Sequence, residues 1–218
     1  MKDTILSIDC SNRWTCIGLA IDGKTVGRDC DLGRAQAAQL PLLVEELLAS
    51  EKLRLGDLTA LAVTVGPGYF TGLRIGLAYA AALAFALSLE VVPLSSLEAV
   101  FRSVPDRDIG LKAPLIAASR ELVFSSAYLD GKPVLDEKER TREQLADGLA
   151  PIGDAEMWAV DDARLFANDA EARKSVHIIE NPSGAAMAAL ALERIDTKLK
   201  PDELRARYLR EPGLGRSL

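Results

Sequence analysis

Histidine is almost absent from this sequence, and that scarcity excludes several kinds of chemistry. His177 is the only histidine among 218 residues, so a metal site built on a pair of histidines is excluded. It also leaves one imidazole as a base for a serine nucleophile, and no G-x-S-x-G elbow is present. His177 lies in an apolar run, where we expect a structural role. The sequence therefore predicts no metal site and no peptidase activity.

Cysteine is also scarce, and the three cysteines lack the spacing of a metal or redox motif. Cys10, Cys16 and Cys30 form no C-x-x-C pair. An odd number of cysteines, with no leader before the first predicted strand, favours reduced thiols and a cytoplasmic protein. The longest uncharged run, Ile75 to Leu89, is shorter than a membrane-spanning helix requires. We therefore expect no membrane contact.

Aromatic residues and positive charge are limited as well. Aromatic residues make up 5% of the chain, so alanine and leucine supply most apolar surface, as is typical of helices packed on a sheet. The net charge of −6 excludes a fold-wide basic surface for nucleic acid. Basic residues do gather near the C-terminus, as a solvated helix face or a partner-docking tail. They are Lys198, Lys200, Arg205, Arg207, Arg210 and Arg216.

The chain consists of two copies of one pattern, offset by 108 positions. With this offset Ile8 matches Ile116, Ser11 matches Ser119, and the Asp-Gly pair at 22–23 matches the pair at 130–131. Asp-Gly between apolar runs predicts a β-hairpin. Each copy continues with helical and strand patterns, which gives the order βββαβαβ twice. The alternative is a chance similarity of two hairpins.

This order predicts an α/β protein with a mixed sheet in each half. We place one lobe at residues 1–100 and the second at 101–218, joined near 96–112. The last helix, predicted at 184–194, is a candidate to pack back on the first lobe. A further helix is predicted at 163–173, and a strand at 176–179.

A glycine-rich run between a predicted strand and a predicted helix is the most specific local pattern. It reads Val65-Gly66-Pro67-Gly68-Tyr69-Phe70-Thr71-Gly72-Leu73-Arg74-Ile75-Gly76. Such a loop at a helix N-terminus is suited to binding an anion, and Thr71 is a candidate cap for the helix. However, the run matches neither the dinucleotide fingerprint nor the P-loop. A strand–turn–helix junction without a ligand is the alternative.

The helix after this run is apolar all round. It has no charge between Arg74 and Glu90, and small residues recur every four positions. Its own sheet can cover only one side, and small residues allow another helix to approach closely. We predict a subunit interface there, with a helix enclosed inside the monomer as the alternative. The predicted interface residues are Gly72, Leu73, Gly76, Leu77, Ala80 and Ala84.

Two levels of resemblance follow from these motifs. The duplicated lobe, with an acid ending its first strand, resembles the ribonuclease H-like, actin-like ATPase fold of sugar kinases, Hsp70 and actin. More closely, the chain resembles the bacterial TsaB (YeaZ-like, glycoprotease-like) family. That resemblance lies in Ile8-Asp9-Cys10-Ser11, the glycine-rich run, Pro93-Leu94-Ser95-Ser96-Leu97 and Tyr208-Leu209-Arg210.

The resemblance implies a role in placing threonylcarbamoyl on an adenosine beside the anticodon of tRNA. Family members act as a scaffold without chemistry of their own, docking the catalytic TsaD and the ATPase TsaE. The chain is then expected to pair with itself when alone and to reach tRNA only through the complex. No intrinsic cofactor is implied, and ATP and Mg²⁺ would be held mainly by the partners.

The fold also implies where a nucleotide would lie if this chain bound one. The nucleotide-facing residues would be Asp9, Ser11, Gly66, Gly68 and Thr71. The repeat mate of Asp9 is Ala117, which has no ligand atom, and this argues against a working phosphotransferase. A kinase-like phosphotransferase remains the first alternative function. A metal-dependent peptidase is the second, and the missing histidine pair counts against it.

Overall fold

The computed structural model describes residues 3–119, 121–160 and 176–209, and within them the chain forms two five-stranded sheets. The first half contains β1 (Thr4–Asp9), β2 (Trp14–Ile21), β3 (Lys24–Asp31), α1 (Gln36–Ser50), β4 (Ala60–Gly66), α2 (Phe70–Leu87), β5 (Val91–Ser95) and α3 (Ser96–Arg102). The second contains β6 (Leu111–Ala117), β7 (Leu122–Leu129), β8 (Lys132–Thr141), α4 (Arg142–Leu149), β9 (Glu156–Val160), β10 (Val176–Ile179) and α5 (Gly184–Glu193).

The two sheets share one topology. The strand order is β3-β2-β1-β4-β5 in the first sheet and β8-β7-β6-β9-β10 in the second. In each sheet the first three strands pair antiparallel, and the remaining two add in parallel. The predicted α/β fold of two tandem mixed sheets is therefore confirmed. The helix predicted at 163–173 lies outside the described residues.

Both predicted Asp-Gly hairpins form where the sequence repeat places them. Asp22 and Gly23 have φ angles of 52° and 81°, and Asp130 and Gly131 have 46° and 79°. A two-residue turn with positive φ at both positions matches the twist of the flanking strands, and aspartate and glycine tolerate this conformation. The turn therefore fixes the register of β2 against β3 and of β7 against β8.

The central strands of the first sheet are covered on both faces. Leu6 and Ile8 of β1 belong to a core cluster with α1 and α2. Ile5, on the opposite face, belongs to a second cluster that includes Met187 and Leu190 of α5. A helix from the second half of the chain thus completes the core of the first lobe. Alternation along β1 divides its apolar residues between the two layers.

Glycine makes the contact between α5 and the first sheet very close. A Cβ on Gly18 of β2 would lie 2.0 Å from the carbonyl oxygen of Gly184, and one on Gly184 would lie 2.0 Å from that of Ile17. Ser183 caps α5 by accepting a hydrogen bond from the Ala186 N–H at 3.3 Å. The backbones of helix and sheet are therefore almost in contact.

The predicted join at 96–112 contains a packed helix. Ser95 caps α3, and Leu97 and Val100 of α3 pack with Ile116 and Phe124 of the second sheet. The segment after α5 also returns to the first sheet, since Leu199 and Val91 of β5 exchange backbone hydrogen bonds of 2.9 Å. The chain therefore crosses between the two lobes more than once.

Candidate functional site

The glycine-rich loop folds against backbone carbonyl groups of its own chain. A Cβ on Gly66, whose φ is +122°, would lie 2.5 Å from the Arg207 carbonyl oxygen. A Cβ on Gly68 would lie 2.4 Å from the Ser11 carbonyl oxygen, and one on Gly72 would lie 1.9 Å from the Cys10 carbonyl oxygen. These oxygens carry partial negative charge and occupy the space that the glycines open. The glycines are thus required for backbone packing at the end of β1.

Asp9 is held at the floor of this loop by local hydrogen bonds. Its Oδ1 accepts from the Ser11 N–H at 2.8 Å and from the Thr64 hydroxyl at 2.5 Å. Its Oδ2 and the Ser11 Oγ are buried without a hydrogen-bond partner. Burial raises the pKa of the Asp9 carboxyl, and the two hydrogen bonds oppose this shift only in part.

Thr71 does not cap α2, so that prediction is wrong. The helix begins at Phe70, its N-cap is Tyr69, and no side chain accepts a hydrogen bond at the cap. Thr71 is exposed in the first turn. The reason is that Tyr69 donates its N–H to the Ser11 carbonyl at 2.7 Å, which starts the helix two residues earlier than the glycine spacing indicates.

The position of the second lobe that matches Asp9 in the sequence repeat carries no acid. Ala117 ends β6 at the matching position and pairs with Val123. His177 lies in β10 as predicted and stacks on Trp158, with 4.5 Å between the ring centroids. Among the described residues, no group of three or more His, Cys, Asp or Glu side chains could hold a metal ion.

The predicted interface stripe on α2 faces the chain's own sheet, which corrects its assignment to an outer surface. Ala80 and Ala84 are fully buried in the core cluster that contains β1 and β4, and Leu77 packs partly against that cluster. A Cβ on Gly76 would lie 3.5 Å from the Cys10 side chain. Gly72 and Leu73 are buried too. The small residues allow close approach of the sheet beneath the helix.

The opposite side of α2 is exposed and mostly apolar. Phe85 is 82% exposed. By length and hydropathy alone, Phe70–Leu87 could cross a membrane, and 28% of this 18-residue segment is buried inside the protein. Because the inner stripe is committed to the sheet, we interpret α2 as a surface helix of a folded lobe. We define the outer face of α2 by its exposed residues Arg74, Ala78, Ala82, Phe85 and Ala86.

A groove of about 490 Å³ lies between this face and α1. Its lining includes Leu40 of α1 and Ile75, Ala78 and Tyr79 of α2. Burial raises the pKa of the Tyr79 hydroxyl, and the charge of Glu45 adds to this shift. The groove therefore extends the apolar surface from α2 onto α1.

The last described segment borders the beginning of α2. The Tyr208 ring packs on Phe70 with centroids 5.4 Å apart, and the Arg74 guanidinium lies 3.9 Å above the Phe70 ring. The Arg207 N–H donates to the Val65 carbonyl at 2.7 Å. The motif at Tyr208 thus meets the glycine-rich run in space, although 134 positions separate Tyr208 from Arg74. Arg210 lies outside the described residues.

Sequence reasoning missed Phe70 and Phe85 as surface residues. The available signal was the presence of two phenylalanines on one helix in a chain with few aromatic residues. Most large apolar side chains of such a chain are expected in the core, so two on a surface helix indicate a contact. Neighbouring alanines at 78, 82 and 86 were visible as a second stripe. Which stripe faces outward depends on the orientation of α2 on the sheet.

Comparison with known proteins agrees with this architecture. The family model described as TsaD, tRNA N6-adenosine threonylcarbamoyltransferase, matches residues 31–139. A structure from Pseudomonas aeruginosa, described as an uncharacterized protein similar to peptidase YeaZ, superposes with a TM-score of 0.79. It is 23% identical and covers 95% of this chain and 100% of its own. The fold is thus that of the two-lobed YeaZ proteins.

Sequence relatives point to the same family. The tRNA threonylcarbamoyladenosine biosynthesis protein TsaB of Haemophilus influenzae is 34% identical over 97 residues, which are 44% of this chain and 41% of that protein. TsaB of Bacillus subtilis is 32% identical over 126 residues, 57% of this chain and 55% of that protein. The matches span about half the length of these relatives. The chain belongs to the TsaB/YeaZ-like family.

Proposed function

We propose that this chain is a non-catalytic scaffold subunit in threonylcarbamoyladenosine biosynthesis, which docks a TsaD-like catalytic subunit through the outer face of α2. Its similarity to TsaB proteins and to the TsaD family supports the pathway. The observation that carries the docking role is the exposed apolar surface around Phe85. Contiguous apolar surface of this kind is typical of an interaction site.

The geometry around Asp9 supports a role without chemistry. A phosphotransferase of this fold needs acids and phosphate-binding loops in both lobes. Here Ala117 replaces the second acid, and carbonyl groups fill the space beside the first glycine-rich loop. ATP and Mg²⁺ are therefore assigned to the partners, a TsaD-like protein and a TsaE-like ATPase. tRNA is reached through the assembled complex, in the cytoplasm.

The same surface would serve self-pairing when the partner is absent. The outer face of α2 and the groove beside α1 present apolar side chains with Arg74 at one end. A two-fold arrangement would place one α2 on another, and a partner with a similar helix would replace it. Self-pairing and docking are then mutually exclusive, so adding the partner should dissociate the homodimer.

Ala82→Arg tests this docking surface. Ala82 is exposed in the isolated chain, so the variant should fold normally, whereas a charge at the centre of a desolvated contact should prevent docking. We expect sedimentation to show a monomer and capture of a purified TsaD-like protein to fail. Ala146→Arg is the matched control, because Ala146 is exposed on α4 of the other lobe. Normal pairing and capture by the Ala82 variant would place the docking surface elsewhere.

A further inference from the structure

A second cleft, remote from α2, lies where the two lobes meet. It has a volume of about 470 Å³ and is formed by α3, β7, β8 and the residue that follows α5. This volume is within the range of small-molecule sites, about 300–1,000 Å³. The floor includes Phe101 and Tyr128, whose rings stack with centroids 3.9 Å apart. The cleft is therefore built from separate segments of the chain around a rigid aromatic base.

Both signs of charge line this cleft at close range. Glu98 lies beside Arg194, with 2.8 Å between its Oε1 and the guanidinium, and 3.9 Å from Arg102. Glu137 is on the opposite wall, where Arg207 approaches its Oε2 at 2.7 Å. The side chains of Glu98, Glu137 and Arg102 are mostly buried, at 17%, 13% and 21% exposure. Asp136 also lines the cleft, and the Glu193 carboxylate binds Arg102 through both of its oxygens. Four acids and three arginines therefore surround the cleft, so the two signs of charge are nearly balanced.

Several polar groups of the cleft lack a complete set of partners. The Ser126 hydroxyl is buried with no hydrogen-bond partner, and so is the Arg102 Nε. Burial, followed by the charges of Glu98 and Glu137, raises the pKa of the Tyr128 hydroxyl, so it stays a neutral donor. Unsatisfied buried polar groups are costly unless a ligand or water completes them. These groups therefore favour a polar occupant.

We propose that this cleft binds a free amino acid. Its ammonium group would be accepted by the carboxylates of Glu98 and Glu137 beside the Tyr128 hydroxyl. Its carboxylate would accept hydrogen bonds from the Arg194 guanidinium and from the unpartnered Arg102 Nε–H, since Glu193 already binds the other two nitrogens of Arg102. The adjacent opposite charges of an α-amino acid match the adjacent Glu98 and Arg194. A simple anion would face two carboxylates, and a polyamine would face two guanidinium groups. This inference does not depend on the docking role of α2.

The test uses the full chain and isothermal titration calorimetry with the twenty standard L-amino acids as probes. We expect at least one to bind with a Kd of about 1 mM or tighter. Its N-acetylated form lacks the ammonium group and its amide lacks the carboxylate, so each should bind at least about tenfold more weakly. Absence of binding by all twenty would overturn the proposal, as would equal binding of the acetylated form.

Two variants locate the binding site. Arg194→Gln should weaken binding of the free amino acid about tenfold, because it removes the guanidinium that binds the ligand carboxylate. Binding of the amide should be unchanged, because the amide has no carboxylate for Arg194 to bind. Tyr128→Phe removes a single hydroxyl and should also weaken binding. Arg28→Gln is the matched control, since Arg28 is 47% exposed in a 2.8 Å ion pair with Glu46 and Arg194 is 50% exposed in its own. Equal weakening by the control variant, or none by Arg194→Gln, would place the ligand elsewhere.

Discussion

At the scale of single residues, the glycine-rich run is explained by crowding of backbone atoms. Gly66, Gly68 and Gly72 each face a carbonyl oxygen at a distance no Cβ tolerates. The same residues in sequence also fit an anion-binding loop, because glycine serves both purposes by lacking a side chain. The two explanations can be distinguished only by knowing which segments pack against the run. Those segments, at 10–11 and 207, are far from the run in sequence.

Gly72→Ala should destabilise the protein by about 1–3 kcal/mol, the usual cost of inserting a methyl group into a packed site. Its Cβ would lie 1.9 Å from Cys10 O, so α2 must shift away from β1. Urea unfolding measures the change. Gly56→Ala is the control, because a Cβ there has nothing within 4 Å, and it should be neutral or slightly stabilising. Equal stability of the two variants would contradict the close contact.

Asp9 should make stability fall as the pH rises. Burial raises its pKa in the folded state, so its contribution is fully present below the unfolded-state pKa of about 4 and is lost as the pH rises through the folded-state value. Asp9→Asn keeps an oxygen for Ser11 and Thr64 but cannot ionise. We expect the variant to be more stable than the wild type at pH 7.

Urea unfolding from pH 4 to pH 8 measures this difference, which should shrink toward zero near pH 4. Asp154→Asn is the control, because Asp154 is exposed on the surface. A difference between wild type and the Asp9 variant that stays constant across the pH range would show that Asp9 does not titrate with folding.

At the scale of elements, the sequence predicted the strands, the repeat and the apolar character of α2, because hydrophobic periodicity and Asp-Gly turns are local signals. It did not predict which side of α2 is covered. A stripe of small residues indicates that another structural element packs closely against the helix. Either a sheet of the same chain or a helix of a partner can be that element. The sequence made α5 a candidate to pack on the first lobe, but its close contact with Gly18 was not predicted, since it joins residues 166 positions apart.

Ala80→Arg should destabilise the chain by more than about 3 kcal/mol, because it places an unpaired charge in the core between α2 and the sheet. Ala82→Arg, two residues along the same helix on its exposed side, should lose much less stability, because it can disturb only contacts between subunits. Circular dichroism during heating compares the two. A stable Ala80 variant would show that the stripe Gly72, Gly76, Ala80 and Ala84 faces outward after all.

At the scale of the whole molecule, the two lobes share structural elements. α5 follows the second sheet in sequence but completes the core of the first, while α3 follows the first sheet and packs on the second. Arg207 bonds to β4 through its backbone and to Glu137 of β8 through its side chain. Separating the lobes would therefore expose the apolar faces of both sheets.

The lobes should consequently unfold in one transition, which the two tryptophans can report separately. Trp14 begins β2 of the first lobe and Trp158 lies in β9 of the second, and the chain has no other tryptophan. Trp14→Phe leaves a fluorescence signal from the second lobe only, and Trp158→Phe leaves one from the first. Within each variant the fluorescence and far-UV circular dichroism midpoints in urea should coincide, as two-state unfolding requires. Comparing two signals in the same variant cancels any effect of the substitution on stability. If the fluorescence midpoint precedes the dichroism midpoint in one variant and follows it in the other, the lobes unfold independently, and the shared helices do not couple them.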